Sequence, residues 1–345
     1  MRRVIVNASF DPAAVPAASH EAAPFHEGLD GFAPTPLRPL DALARELGLG
    51  TVALKDESDR LGLPAFKVLG ASWAAERALR EAPGVHTLVA ASAGNHGRAV
   101  AAVARRRGLR ARIYVPARSA AGRRAAIAGE GAEVVVVDGD YEDAVARAAA
   151  DGEADGVLEL ADVGTSGPAH WVIDGYATLF AELRDGFDAV LVPTGVGSLA
   201  AAAARYGAES GTTVIGVEPD SAACLTASLE SGEPTPVVNP GSSMAGLDCA
   251  EVSEAAWPSL KAGTRGAVTV SDAESAAAMR ALAAAGLAIG DCGAAPVAAL
   301  RALMTEDACA GLRELAGLGP ASRVALIATE GVTDPEGYAR VVAAR

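Results

Sequence analysis

The feature that most limits the fold is a regular alternation between residues 87 and 217. Short apolar runs at 87–91, 112–115, 133–137, 157–160, 189–192 and 213–217 are separated by segments of helical character. Strands that run the same way need a crossover of a dozen or more residues, usually a helix, so this spacing predicts parallel sheets with right-handed connections. The runs are apolar throughout, as expected of strands covered on both faces. Further strands are predicted at 51–54 and 323–328. Helices are predicted at 40–47, 67–80, 98–107, 120–128, 141–150, 171–183, 199–206 and 271–285, the last opening on the capping box Ser271-Asp272-Ala273-Glu274. Residues 1–33 read as irregular, because Pro12, Pro16 and Pro24 interrupt any long helix. A chain of 345 residues exceeds one ordinary core and suits two domains, or one large α/β unit with a lobe.

Charge narrows the function. A net charge of −14 argues against a general binder of nucleic acid or anionic membrane, since phosphate backbones are repelled. No apolar run is long and uninterrupted enough to span a bilayer, and the N-terminus lacks an apolar signal core. Cys224, Cys249, Cys292 and Cys309 are scattered without paired spacing, which fits a reducing interior and gives no structural zinc pattern. The expectation is a cytoplasmic protein without a metal.

Lysine is nearly absent: Lys55, Lys67 and Lys261 are the whole set, and arginine supplies most of the positive charge. Lys67 sits between Phe66 and Val68, after a Gly-Leu-Pro turn and at the start of an apolar helix. Two readings stand. Its stem covers apolar surface while its head reaches water, or partial burial lowers its pKa and frees the amine to form a Schiff base.

Three loops at strand ends add donors. Thr194-Gly195-Val196-Gly197-Ser198-Leu199 lies between a buried strand and a helix, where backbone N–H groups and the helix dipole suit a phosphate. It lacks P-loop spacing and the third glycine of a dinucleotide fingerprint, so a small phosphate monoester fits better than a pyrophosphate. Ser92-Ala93-Gly94-Asn95-His96-Gly97 is a second such loop, suited to a carboxylate, or simply an Asx turn with His96 opening a helix. Thr329-Glu330-Gly331 ends the last strand, where ligands of open parallel sheets collect.

Taken in order, these pieces resemble the fold-type II pyridoxal-phosphate enzymes, which include threonine and serine dehydratases and O-acetylserine sulfhydrylase. Within that family the chain resembles the diaminopropionate ammonia-lyases. The resemblance runs from Pro34 to Asp334. Its most specific parts are Leu54-Lys55-Asp56-Glu57-Ser58, Ala65-Phe66-Lys67-Val68-Leu69-Gly70, Gly94-Asn95-His96-Gly97-Arg98, Gly175-Tyr176-Ala177-Thr178-Leu179, Val217-Glu218-Pro219, Met244-Ala245-Gly246-Leu247 and Thr329-Glu330-Gly331.

The resemblance implies a tryptophan-synthase-β-like α/β fold with two domains and open, mostly parallel sheets. Residues 1–69 and 156–345 would form the large cofactor-binding domain, and 70–155 a small mobile one that closes over substrate. It implies pyridoxal 5'-phosphate as cofactor, with Lys67 as Schiff-base lysine and Cα proton shuttle. Phe66 would pack beside the cofactor, Asn95 would bond its phenolic oxygen, and Gly195, Val196, Gly197 and Ser198 would hold its phosphate. Ser92, Ala93, Gly94, Asn95 and His96 would bind the carboxylate of a small amino acid. A homodimer is implied as well.

The sequence departs from the family at three places. The ammonia-lyases carry an aspartate immediately before Gly-Asn-His-Gly, an acid/base toward the D-isomer; here that position is Ala93. A second family aspartate, counted back without gaps, falls at Glu159, with Asp162 nearby; Glu159 is then a catalytic carboxylate or only a strand end. The serine usual opposite the pyridine nitrogen falls at Ala328, leaving Thr329 as the nearest hydroxyl. The implied reaction is β-elimination of the ammonia-lyase type, giving a keto acid and ammonia from a substrate such as 2,3-diaminopropionate. β-Replacement, serine or threonine dehydration, and non-catalytic binding of amino acid or cofactor are the alternatives.

Overall fold

A computed structural model describes residues 2–165, 167–183 and 186–344. Among the described residues there are eleven strands: β1 (Val4–Val6), β2 (Leu37–Pro39), β3 (Thr51–Asp56), β4 (Thr87–Ala91), β5 (Arg110–Pro116), β6 (Glu133–Val137), β7 (Val157–Glu159), β8 (Ala189–Pro193), β9 (Thr213–Pro219), β10 (Thr264–Val270) and β11 (Arg323–Ala328). They build a seven-stranded sheet, β1-β10-β9-β8-β11-β3-β2, and a four-stranded sheet, β6-β5-β4-β7. All pairs are parallel except the two edges, β1 on β10 and β2 on β3. The expected α/β architecture with open, mostly parallel sheets is the one observed.

The central strands explain themselves. Every residue of β8 is buried, as are the last five of β11, so neither has a polar face to offer. The predicted helices all form, with ends shifted by a few residues. Ser271 caps its helix as expected, its side chain accepting from the Glu274 amide. Three expectations change. Residues 4–6 are an edge strand instead of irregular chain, residues 22–27 form a short helix, and β7 joins the smaller sheet although it lies past the expected boundary at residue 155.

The Lys67–Glu81 helix crosses the Pro168–Ala181 helix at very close range. A Cβ on Gly70 would sit 2.6 Å from the Tyr176 ring, and one on Gly175 would sit 2.6 Å from the Leu69 carbonyl oxygen. Glycine is therefore needed on both helices for this crossing. Below it lies a buried ion cluster. Arg60, fully buried, donates to both oxygens of Glu57 (2.8 and 2.6 Å) and to Glu182 Oε1 (2.7 Å), while Lys55 pairs with Glu182 and donates to the Thr35 carbonyl (2.7 Å). Charges without water must be paired and hydrogen-bonded. Here they tie β3 and the 57–66 segment to the chain just after the Pro168–Ala181 helix, and so fix where Lys67 emerges.

Among the described residues no helix is long and apolar enough to cross a membrane.

Candidate active site

The chain leaves the C-terminal ends of β4, β7, β8 and β11 into the segments that carry the candidate residues, the usual ligand position in open parallel sheets. Lys67 is the first residue of its helix, and its Nζ donates to Asp162 Oδ2 at 2.8 Å. The two side chains are 18% and 15% exposed, so the pair is largely shielded from water. Lys67 Nζ also lies 5.5 Å from the Phe66 ring centroid and 5.9 Å from that of Tyr176.

Of the two readings of Lys67, this pairing goes against a neutral amine in the resting chain. Burial does disfavour the ammonium, but the Asp162 carboxylate outweighs it and raises the Lys67 pKa well above the usual lysine range. Burial likewise opposes the Asp162 charge, yet His96 and Lys67 together hold its carboxyl far below the usual range. In this state Lys67 is an ammonium with its counter-ion in place.

Glu159 does not take the place that counting along the chain assigns to it. It is the last residue of β7, half-buried, with its Cβ against Gly152 of the Tyr141–Gly152 helix. Burial alone pushes its carboxyl pKa up. The chain turns after β7, and the carboxylate that meets Lys67 is Asp162, three residues on.

The second loop is tightly wound. Gly97, in the first turn of the Asn95–Arg106 helix, lies so near that a Cβ there would be 2.2 Å from the Ser92 carbonyl oxygen. The Ser92 hydroxyl accepts from the Gly94 amide (3.2 Å), and the helix that follows has no side-chain cap. Asn95 Nδ2 donates across the cleft to Glu330 Oε2 at 2.5 Å. His96 is buried, with Nε2 2.6 Å from the Leu160 carbonyl oxygen. Gly94, Asn95 and Arg98 on one side and Gly246, Asp291 and Glu330 on the other line a cleft between the two sheets.

The glycine loop after β8 also lacks a side-chain cap on the Ser198–Ser210 helix it opens. Gly197 has φ +95°, a left-handed conformation that favours glycine. At Gly195 a Cβ would lie 2.9 Å from both Cys249 Sγ and the Gly246 carbonyl oxygen. Ser198 Oγ donates to the Asp162 carbonyl at 3.0 Å, so the loop and the Lys67 partner are joined. Uncapped N–H groups at a helix start with a glycine approach suit a phosphate. Thr329 Oγ1, next to the end of β11, is buried without a hydrogen-bond partner, a donor available to a ring nitrogen. An amine, an uncapped glycine loop and an orphaned hydroxyl fit pyridoxal phosphate.

Sequence reading gave no role to three members of this neighbourhood, Cys249, Asp291 and Glu330, and weighed Cys292 only as a pocket-lining or buried residue. Cys249 touches Gly195, and burial followed by the charge of Asp162 pushes its thiol up to about 12. Asp291, Cys292 and Glu330 present ligand atoms within 4.8 Å of one another, and burial, then Asp291, pushes Glu330 up to about 7. Cys249 follows the quoted Met244-Ala245-Gly246-Leu247 stretch by two residues, which was the available signal.

Comparison with known proteins agrees with this geometry. The family described as Pyridoxal-phosphate dependent enzyme matches residues 29–330. A diaminopropionate ammonia-lyase of Salmonella typhimurium is 33% identical, over 94% of this chain and 91% of its own length. The crystal structure of the Escherichia coli diaminopropionate ammonia lyase in complex with D-serine superposes with a TM-score of 0.90 at 30% identity, covering 99% of this chain and 97% of that one. An L-threonine dehydratase of Corynebacterium glutamicum is 33% identical over 59% of this chain and 48% of its own length.

Proposed function

Because the chain belongs to the pyridoxal-phosphate dependent enzymes, we propose that it is a lyase that splits 2,3-diaminopropionate by β-elimination to a keto acid and ammonia. The full-length similarity to two diaminopropionate ammonia-lyases supports the substrate. The observation that carries the chemistry is the Lys67–Asp162 pair, an amine at a helix start with its counter-ion from the segment after β7.

In this reading Lys67 would carry the cofactor, Gly195, Val196, Gly197 and Ser198 its phosphate, Thr329 its ring nitrogen and Asn95 its phenolic oxygen. Phe66 would bound the pocket beside Lys67. Bound there, pyridoxal phosphate supplies an electron sink for charge at Cα. The chain does the rest. Loop residues Ser92, Ala93, Gly94, Asn95 and His96 orient the substrate carboxylate, Lys67 Nζ takes the Cα proton, and Asp162 steadies the resulting ammonium. Movement of a small lobe built on the four-stranded sheet, residues 70–155 together with β7, would exclude water. A homodimer in a reducing, cytoplasmic setting completes the reading, supported there by four free cysteines.

Product stoichiometry tests it. 2,3-Diaminopropionate and water give one pyruvate and two ammonia, whereas serine gives one of each. Two ammonia per pyruvate, with serine and threonine turned over more slowly, is the expected result. Faster turnover of serine or threonine would make the chain a dehydratase, the reading that Ala93 favours, since it gives Ser-Ala-Gly-Asn in the loop. Consumption of substrate without keto acid, when a second nucleophile is added, would mark β-replacement.

A further inference from the structure

His96 Nδ1 is buried with no hydrogen-bond partner, and it lies 3.8 Å from Asp162 Oδ2. The other ring nitrogen decides what Nδ1 is. Nε2 stands 2.6 Å from the Leu160 carbonyl oxygen, which can only accept, so Nε2 bears the hydrogen. A neutral ring would then turn the Nδ1 lone pair toward a carboxylate oxygen inside a buried pocket, where both groups repel and neither is satisfied. A proton on Nδ1 removes the conflict.

The ring also occupies a telling place. Leu160 and Asp162 belong to the same short segment after β7, so one imidazole holds that segment by its backbone and flanks its carboxylate. Ser198 Oγ adds a third hold on the Asp162 carbonyl, at 3.0 Å. His96 itself follows Asn95 directly, in the loop assigned to the substrate. It therefore joins the substrate loop to the partner of Lys67.

We propose that His96 is a positioning residue that carries a proton on Nδ1 and holds the Asp162 carboxylate in place for Lys67 Nζ. The inference rests on the reading of Lys67 as the cofactor-bearing amine. While Lys67 is committed elsewhere, Asp162 loses its 2.8 Å partner; His96 keeps the carboxylate charged and aimed so that the amine returns to the same acceptor. The other titratable groups that feel the charge of Asp162 are Tyr141, Tyr176 and Cys249, and each has its pKa raised. Lys67 Nζ at 2.8 Å and His96 Nδ1 at 3.8 Å are the basic nitrogens beside this carboxylate.

Two substitutions separate the ring's two ends. His96→Gln places an amide nitrogen near Nε2 and leaves nothing at Nδ1; His96→Asn places one near Nδ1 and gives up the Leu160 bond. Melting temperature, borohydride fixation of pyridoxal phosphate on Lys67, the pH midpoint of the bound cofactor's visible band, and kcat with KM would be measured for both. H96Q should fold and take label on Lys67, shift the spectral midpoint by about one unit, and lower kcat about tenfold with little change in KM. H96N should recover most of the loss. An H96Q protein with the wild-type midpoint and kcat, or equal losses in both variants that follow melting temperature, would overturn the proposal. Nitrogen-15 NMR of histidine-labelled wild-type protein gives an answer independent of any variant: a protonated Nδ1 is expected, and a bare one contradicts it. Failure of the wild type to take label on Lys67 would instead overturn the underlying reading, and this inference with it.

Discussion

Asn95, at the start of a helix on the smaller sheet, donates to Glu330, two residues past the end of β11 in the larger one, at 2.5 Å. One hydrogen bond thus ties the two sheets across the cleft, and its acceptor is a carboxyl pushed up to about 7 by burial and then by Asp291.

That carboxyl gives a prediction with a definite sign. A group whose folded pKa is raised contributes stability that is fully present below its ordinary value and is lost as pH rises through the folded one. For Glu330 the window runs from its ordinary 4.5 to about 7. Glu330→Gln keeps an acceptor for Asn95 and removes the titration. At pH 8 it should be more stable than wild type, on the order of 1–3 kcal/mol, and the advantage should vanish below pH 5 (about the ordinary carboxyl range). Denaturant midpoints across pH check this. Glu218, also pushed up to about 7 by burial, should leave part of the wild-type slope in place.

Glu182 is the shared partner of two buried cations, Lys55 and Arg60. Glu182→Ala should cost about 3–5 kcal/mol, because it leaves the buried Lys55 ammonium without a counter-ion and Arg60 with Glu57 alone. Urea unfolding of the cofactor-free protein measures it.

Gly97 has no room for a methyl group beside the Ser92 carbonyl. Gly97→Ala should therefore displace the loop proposed to hold the substrate carboxylate. The expected result is a lower melting temperature and a raised KM, with Lys67 still labelled by borohydride, since Lys67 is carried by another helix.

Ala93 bears only a methyl group where the resemblance leads one to expect a second proton carrier. The chain should turn over one stereoisomer of 2,3-diaminopropionate, the one that offers its Cα proton to Lys67. Chiral-substrate assays check this, and Ala93→Asp should admit some turnover of the other isomer.

The fold was legible in the sequence where runs were long and apolar. β8 and β11 are buried cores of a parallel sheet, and their composition says so. β1 was not legible, because three residues at an edge carry no period, and it forms only by pairing with β10. The Asp291–Thr305 helix was hidden by Pro296, which normally breaks a helix yet is buried within this one. In the site, Lys67 stood out because lysine is scarce. Its partner did not: a count along the chain reaches Glu159 and cannot see the turn after β7 that presents Asp162. The charge state of Lys67 stayed open between two readings for the same reason, since burial is visible in a sequence and a counter-ion brought from 95 positions away is not.

The central claim is that Lys67 carries pyridoxal phosphate. The direct test is borohydride reduction of the purified protein supplied with pyridoxal phosphate, followed by peptide mapping, with Lys67→Ala as control. The account predicts a visible band that disappears on reduction and a pyridoxyl label fixed on Lys67 alone. A label on Lys55 or Lys261, or a protein that stays colourless and unlabelled, would contradict it.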